Sequence, residues 1–174
     1  MSLRTFACIA AFACPSLSAP VSAQEDVANG QKFGAWTVSC EALGKNRTTC
    51  ILTQTLSRDT DNAFIAQMMA FWSSDGSQRF IAARVPMGAY LPSGFAIRAE
   101  ESDEAIPFVW QSCFGDVCEA MRQVDGEEID TVALEKGTVL GSFRPRLGME
   151  PFVFRFSMEG LDAGLEALRP AAAE

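Results

Sequence analysis

The feature that most constrains the fold of this chain is a pair of cysteines with four residues between them, Cys113 and Cys118. Gly115 and Asp116 lie in the middle of this spacing, and apolar residues precede it. A glycine next to a small polar residue between two extended segments is typical of a tight β-hairpin turn. The spacing therefore predicts a hairpin over residues 107–120, whose strands are tied together just below the turn.

Other segments alternate apolar and polar side chains with the period of two that a half-buried strand requires. Trp36, Val38 and Cys40 share one face in this way. The same alternation covers residues 152–158, where three phenylalanines and Met158 occupy every second position. The predicted strands and hairpins are residues 33–40, 50–56, 63–72, 79–85, 95–99, 107–120, 127–134, 138–143 and 152–158.

Residues 63–72 form a largely apolar run, so periodicity alone leaves a helix open there, but turn signals on both sides favour a strand. The clear helical pattern lies at residues 159–168, where Leu161, Leu165 and Leu168 recur at helical spacing and Pro170 ends the segment. Many short strands followed by one terminal helix predict a single all-β domain. We expect an antiparallel β-sandwich or barrel-like domain over residues 33–169, followed by a tail at 170–174.

The N-terminal residues 1–23 predict a secretory signal peptide. One positive charge at Arg4 precedes a short apolar run, and small residues lead to a cleavage site after Ala23. The run is too short for a membrane anchor, and no later segment is long and apolar enough to span a bilayer. A lipid-anchored Cys14 is the alternative, although Ala11 stands where a lipoprotein signal usually has leucine. We expect a periplasmic or otherwise extracytoplasmic protein with a flexible lead-in at residues 24–32.

Composition excludes several classes of function. The chain has 14 Lys and Arg against 22 Asp and Glu and no histidine, for a formal net charge of −8. An acidic chain repels phosphate backbones, so nucleic acid is not an expected partner. The lack of histidine removes serine–histidine and cysteine–histidine nucleophile pairs and every histidine-ligated metal site. We expect no catalytic residue, no cofactor and no metal.

Four cysteines remain after the predicted cleavage: Cys40, Cys50, Cys113 and Cys118. An even number in an exported chain implies two disulfides, for which three pairings are possible. Turn-like segments between residues 40 and 50 and between residues 113 and 118 favour the two local pairs. A four-cysteine zinc site is the alternative, but the spacings are unequal and contain no CxxC motif.

Three further patterns favour structural roles over functional ones. The acidic run at residues 100–104 is typical of a solvated loop rather than of catalytic carboxylates in differing environments. Residues 59–62 begin like a calcium loop, but Ala63 and Phe64 stand where a ligand and the turn glycine belong. The tryptophans lie in apolar strand segments, which favours core or sheet-face positions over ligand-stacking platforms. These are Trp36, Trp72 and Trp110.

A series of short stretches, taken in order, forms a pattern that no single motif supplies. The stretches are Phe33-Gly34-Ala35-Trp36-Thr37-Val38-Ser39-Cys40, Cys50 with Gln54, Val85-Pro86-Met87-Gly88 leading to Leu91-Pro92-Ser93-Gly94, Cys113 with Cys118-Glu119-Ala120, Lys136-Gly137, and Ser157-Met158-Glu159-Gly160-Leu161. In this order and spacing they resemble the invasion-associated locus B family of exported bacterial proteins. The resemblance implies an envelope-associated or periplasmic domain without established catalytic activity, linked in some pathogens to host-cell invasion.

Two hypotheses of function follow. The first is a non-catalytic module that binds a protein or envelope partner through residues 87–93, where Met87, Tyr90 and Leu91 lie between two prolines. The alternative for this segment is that Met87 and Leu91 plug one end of the domain. The second hypothesis is a hydrolase of envelope glycans that uses carboxylates alone. No spaced pair of acids with apolar flanks supports it.

Overall fold

The computed structural model describes residues 27–44, 47–99, 104–125 and 137–170. The regular elements of these residues are strands β1 (Lys32–Phe33), β2 (Trp36–Gly44), β3 (Arg47–Ser57), β4 (Phe64–Trp72), β5 (Arg79–Pro86), β6 (Phe95–Ala99), β7 (Ile106–Phe114), β8 (Val117–Val124), β9 (Thr138–Phe143) and β10 (Phe152–Ser157), helix α1 (Leu161–Ala167), and a 3-10 turn at Leu91–Ser93. The predicted signal peptide, the tail beyond Pro170, the predicted strand at 127–134 and most of the acidic run at 100–104 lie outside the described residues.

The strands form one antiparallel sheet in the order β1-β2-β3-β4-β5-β8-β7-β6-β9-β10. The first five strands follow one another as neighbours. The next three run back toward β5, and β9 and β10 then extend the sheet on the far side of β6. The prediction of an all-β, barrel-like antiparallel domain with a short C-terminal helix is confirmed.

The two ends of the sheet meet at Ser157, the last residue of β10. The indole Nε1 of Trp36 donates a hydrogen bond to the Ser157 carbonyl at 3.0 Å. The side-chain amide of Gln54 donates to the same carbonyl at 2.9 Å and accepts from the Ser157 N–H at 2.9 Å. The side-chain amide of Gln54 thus bonds both the N–H and the carbonyl of Ser157, as a peptide group of a neighbouring strand would. The sheet therefore coils into a barrel that side chains close.

The interior is apolar, because alternate residues of each strand point inward. Among the described residues no polar or charged residue is buried. The largest fully buried side chains are Trp36, Phe95, Leu52, Met68, Ile81, Leu161, Leu165, Val38, Val85, Val139 and Cys118. Burial stabilises each large apolar side chain by roughly 1.5–3 kcal/mol, so the barrel interior supplies the main driving force for folding.

Two glycines allow two segments of the backbone to approach each other closely where the barrel closes. A Cβ atom at Gly34 would lie 2.3 Å from the Glu159 carbonyl oxygen, and one at Gly160 would lie 2.2 Å from the Phe33 carbonyl oxygen. The Ala35 N–H donates to the Glu159 carbonyl at 3.1 Å. Only residues without a side chain fit at these two positions. The contact joins two of the stretches on which the family resemblance rests.

The local predictions that fall on described residues hold, except that a turn at Gly34 and Ala35 breaks the predicted strand at 33–40 and the predicted helix starts later. Residues 63–72 form a strand, β4, and not a helix. The predicted helix at 159–168 is present but begins at Leu161, because Gly160 has a left-handed φ of 85° and ends the preceding turn. The described part of the predicted flexible lead-in differs from the expectation. Its backbone is bonded to β2, since Gly30 N–H donates to Val38 O and Val38 N–H donates to Gln31 O, both at 2.8 Å.

Candidate functional site

The predicted hairpin is formed by β7 and β8, with Gly115 and Asp116 as its two-residue turn. The pairing of β6 with β7 extends only as far as Phe108, and no other described strand pairs with the rest of β7 on that side. Phe114, the residue before the turn, is 87% exposed. An aromatic ring at this exposure adds little to the core and presents apolar surface to solvent.

The four cysteines lie in two pairs at disulfide distance. The sulfur atoms of Cys40 and Cys50 are 2.10 Å apart, and those of Cys113 and Cys118 are 1.97 Å apart. Each pair joins directly opposed residues of neighbouring strands, β2 with β3 and β7 with β8. These are the two local pairs that the sequence favours. The second pair ties the projecting hairpin directly below Phe114.

The segment that the sequence singles out for binding, residues 87–93, connects β5 to β6. Met87 is 50% exposed and Leu91 is 40% exposed, while Tyr90 is half-buried. Ala89 is the residue of this segment that packs against the core. Met87 and Leu91 are therefore partly exposed, and the Met87 Sδ also lies 3.8 Å from the Sγ of the buried Cys118.

Hydrogen bonds tie this segment to the two connections beside it. The Met87 N–H donates to the Asp116 carbonyl in the β7–β8 turn, and the Tyr90 N–H donates to the Arg144 carbonyl in the β9–β10 connection, each at 2.8 Å. The Arg144 guanidinium also donates to the Met149 carbonyl within that connection. Three loops at the same end of the barrel are thus fixed to one another, and they present their side chains as one surface.

These loops carry a group of large exposed apolar side chains. Leu147 is 73% exposed at the β9–β10 connection, where Met149 and Phe152 are 40% exposed. We call this surface the apolar end, and its members are Met87, Leu91, Phe114, Leu147, Met149 and Phe152. Single exposed apolar residues are normal, whereas several on loops that are bonded to one another form a candidate interaction surface.

The opposite end of the barrel holds a cleft of about 620 Å³ between α1 and the ends of β4, β5 and β8. Trp72 lines the cleft, and its indole Nε1 donates to the Leu165 carbonyl of α1 at 2.7 Å. The guanidinium carbons of Arg79 and Arg169 lie 5.7 Å and 4.9 Å from the centroid of the Trp72 ring. We call this feature the Trp72 cleft. Its wall also includes Gln78, Gln123, Asp125, Asp162 and Glu166.

The turn between β4 and β5 borders the Trp72 cleft and is ordered by one carboxylate. The hydroxyl of Ser73 donates to Asp75 Oδ1 at 2.5 Å, and the N–H and hydroxyl of Ser77 donate to the same oxygen at 3.0 and 2.8 Å. These hydrogen bonds, with that of Ser73 the largest, stabilise the charged form and lower the pKa of Asp75 to about 2. Ser77, which borders the cleft, is thereby fixed in place.

Some residues of the other candidate patterns lie in the described part of the chain. In the calcium-like stretch, Asp61 accepts a hydrogen bond from the Ala63 N–H at 3.1 Å and lies 3.5 Å from the Arg58 guanidinium. No group of three or more metal-ligating side chains occurs in the described ranges. Trp36 is fully buried. The indole N–H of the half-buried Trp110 is without a hydrogen-bond partner in the described part of the chain.

Residues 36–169 match the sequence model of the family described as Invasion associated locus B (IalB) protein. This chain belongs to that family. The match begins at Trp36 and ends at Arg169, so it spans both the barrel closure and the Trp72 cleft of this IalB protein.

The fold of this IalB protein is also found in a crystal structure of invasion associated protein B from Bartonella henselae. The TM-score is 0.65 at 16% sequence identity, and the match covers 79% of this chain and 92% of that one. At this identity the likeness supports the fold alone. No curated protein matches the sequence significantly. Within the described residues, no helix has the length and apolar character needed to cross a membrane.

Sequence reasoning found Met87 and Leu91 in this IalB protein but missed Phe114, Leu147 and Arg79. The position of Phe114 next to the turn glycine is a signal that could have shown its exposure, because residues beside a hairpin turn rarely reach the core. Leu147 lies among arginine, proline and glycine in a similar way. No local sequence pattern identifies Arg79 as a site residue, because only the fold brings Trp72 and α1 next to it.

Proposed function

We propose that this IalB protein is a non-catalytic binding protein of the bacterial envelope and that it docks a partner protein on the apolar end. The observation that carries the proposal is the group of exposed apolar side chains on three loops that are bonded to one another. Loops fixed before binding lose little conformational freedom on association, which favours affinity. The Bartonella protein is named for invasion, whereas the activity proposed for this chain is partner binding alone.

The chemistry of the apolar end supports a protein as the partner. Methionine, phenylalanine and arginine are enriched at the centres of protein interfaces. The apolar end contains the first two types as Met87, Met149, Phe114 and Phe152, and the β9–β10 connection adds Arg144 and Arg146. The Arg146 Nε lies 3.0 Å from the Met149 Sδ, so the basic and apolar groups form one surface. Loop tips of this kind fit the groove of a partner better than they enclose a small molecule.

The proposed compartment rests on three observations that agree. The N-terminal residues have the pattern of a signal peptide, the cysteine pairs lie at disulfide distance, and the chain belongs to the IalB family. Stable disulfides form in the periplasm and outside the cell. A partner in the envelope would therefore meet the protein after export, once the Cys113–Cys118 hairpin has formed.

Site-specific photo-cross-linking tests the docking surface. A photo-reactive phenylalanine analogue is placed at position 114 of the apolar end, and in a second variant at position 109. Val109 is 68% exposed on β7 but is not a member of the apolar end, so it is a matched control. After irradiation of intact cells, we expect a discrete cross-linked protein from position 114 alone. Cross-links of equal yield from both positions would contradict the proposal.

The identified partner is then purified and its affinity measured. Leu91→Ser and Phe114→Ser should each weaken binding about tenfold or more, because truncating an apolar anchor of an interface costs at least 1–2 kcal/mol. Val109→Ser should leave the affinity unchanged. Melting temperatures of Phe114→Ser and Val109→Ser should match the unsubstituted protein, since these side chains are mostly exposed, whereas Leu91→Ser should lower the melting temperature slightly because Leu91 is only 40% exposed. Unchanged binding by both apolar-end variants would show that the binding surface lies elsewhere.

A further inference from the structure

The Trp72 cleft contains a cation that no described carboxylate neutralises. Arg79 is half-buried, and the contact of its guanidinium group in the described part of the chain is the Trp72 ring, at 5.7 Å. The ion pairs of the described residues do not include Arg79. A guanidinium group presents a planar fork of donors that matches a carboxylate through two parallel hydrogen bonds. Arg79 therefore offers the cleft a site for an anionic group.

The backbone around Arg79 holds this donor group at a fixed position. Arg79 is the first residue of β5, and it is paired with Trp72 of β4 on one side and with Val124 of β8 on the other. These three residues form a row across the sheet at the mouth of the cleft. Because strands on both sides fix its backbone, Arg79 can bind a ligand without reordering a loop.

The other charges of the cleft restrict the ligand further. Two arginines and three carboxylates line it, so its formal charge is −1. The carboxylates are Asp125, Asp162 and Glu166, at the end of β8 and on α1, and each already has an interaction within the protein, that of Glu166 being with Arg169 at 3.7 Å. A polyanion such as a nucleotide would be repelled by this acidic wall. A ligand with one carboxylate and one ammonium group matches both signs of charge.

We propose that the Trp72 cleft binds short peptides with free termini, holding the α-carboxylate on Arg79 and the α-ammonium group against the acidic wall. The volume of about 620 Å³ lies within the range of small-molecule clefts, which is roughly 300–1,000 Å³. Gln78 and Gln123 line the same cleft and supply amide donors and acceptors for peptide groups. This site is at the opposite end of the barrel from the proposed docking surface and does not depend on it.

Calorimetric titration with synthetic tripeptides tests the proposal. The full-length mature protein is titrated with one tripeptide in three forms, with free termini, with an amidated C-terminus and with an acetylated N-terminus, each up to millimolar concentration. We expect the free form to bind and each blocked form to bind at least tenfold more weakly. Arg79→Gln should weaken the free form by the same factor as amidation and should not further weaken the amidated form. Such non-additive effects of amidation and of Arg79→Gln would show that the α-carboxylate of the peptide binds Arg79.

Arg98→Gln is the matched control, because Arg98 is an exposed arginine of β6 that does not line the cleft. It should leave the affinity of the free tripeptide unchanged. No measurable binding of the free form, equal binding of the amidated form, or full binding by folded Arg79→Gln would each overturn the proposal. If Arg79→Gln does not fold, the two blocked peptides on the unsubstituted protein decide the result. Variants of the apolar end should not affect tripeptide binding, so failure here is distinct from failure of partner docking.

Discussion

Two glycines at the barrel closure are the residues least able to accept a side chain. Gly160 and Gly30 have the same φ of 85°, but a Cβ at Gly160 would lie 2.2 Å from a carbonyl oxygen while a Cβ at Gly30 meets nothing within 4 Å. Alanine at Gly30 would therefore carry only the energetic cost of a positive φ. Alanine at Gly160 would carry that cost and the cost of a steric clash as well. Sequence patterns do not show this distinction, because they predict Gly30 in a lead-in segment and Gly160 in a helix and indicate neither contact.

Gly30→Ala should lower the free energy of unfolding by about 1 kcal/mol, the cost of placing alanine in the left-handed region. Gly160→Ala should lower it by at least about 2 kcal/mol more, since Phe33 or the start of α1 must move to relieve the clash. Urea unfolding of both variants measures the difference. Equal losses at the two positions would show that the closure tolerates a methyl group.

The Asp75 carboxylate gives stability a dependence on acid pH. Its pKa is lowered from 3.8 to about 2, so the native state favours the charged form. The stabilisation is complete above the unfolded pKa of about 3.8 and is lost as the pH falls toward 2. Asp75→Asn should thus have a lower melting temperature than the unsubstituted protein at pH 6, and the difference should shrink as the pH falls from 4 to 2. A constant difference across this range would contradict the assignment.

At the scale of secondary-structure elements, the sequence predicts most of the strands and the helix. It does not predict which strands pair when they are distant in the sequence. Alternation identifies β2 and β10 because each has one buried face, and the cysteine spacing identifies the β7–β8 hairpin. The neighbour of β5 is β8, however, and no local pattern indicates that pairing. The Trp72 cleft depends on this contact, since it collects β4, β5, β8 and α1 at one place. Leu147 and Met149 of the apolar end lie in the β9–β10 connection, for which the sequence predicts no element.

The β7–β8 hairpin and the β2–β3 hairpin provide a comparison of two disulfides in one chain. In the chain-entropy description, a cystine contributes about 2 kcal/mol for the loop at Cys113–Cys118 and about 3 kcal/mol for the longer loop at Cys40–Cys50. Replacing each pair with alanine should therefore destabilise the protein by these amounts without unfolding it. Non-reducing peptide mapping checks the pairing, and a peptide joining Cys40 or Cys50 to Cys113 or Cys118 would contradict it.

At the scale of the whole molecule, one barrel presents two chemically different ends. The apolar end displays methionine, leucine and phenylalanine, and the Trp72 cleft displays arginine, glutamine and carboxylates. The composition of the chain, with a net charge of −8, does not indicate that exposed apolar residues and charged residues gather at opposite ends. It arises because the connections between strands, which carry little of the alternating pattern, assemble at each end. A single domain of this kind has room for two independent binding activities.

The mature protein should begin at Gln24 if the proposed signal peptide is removed on export. The intact mass of protein purified from the periplasmic fraction should then correspond to residues 24–174. Arg4 would be absent and Cys14 with it, so no lipid adduct should be found. A mass that retains Met1, or one increased by acyl chains, would contradict this expectation.

The closure at Ser157 also sets when the molecule can fold. Trp36 is bonded to a carbonyl 121 residues later, and the glycine contact beside it involves the same distant segment. Until the final strand and helix have been made, the early strands lack the partners that bury their apolar face. Such long-range closure is slow, because the chain must bring distant segments together before any contact stabilises them. If the chain is exported as proposed, it should therefore stay unfolded while it is synthesised and translocated. It should fold only after its C-terminal segment has crossed the membrane.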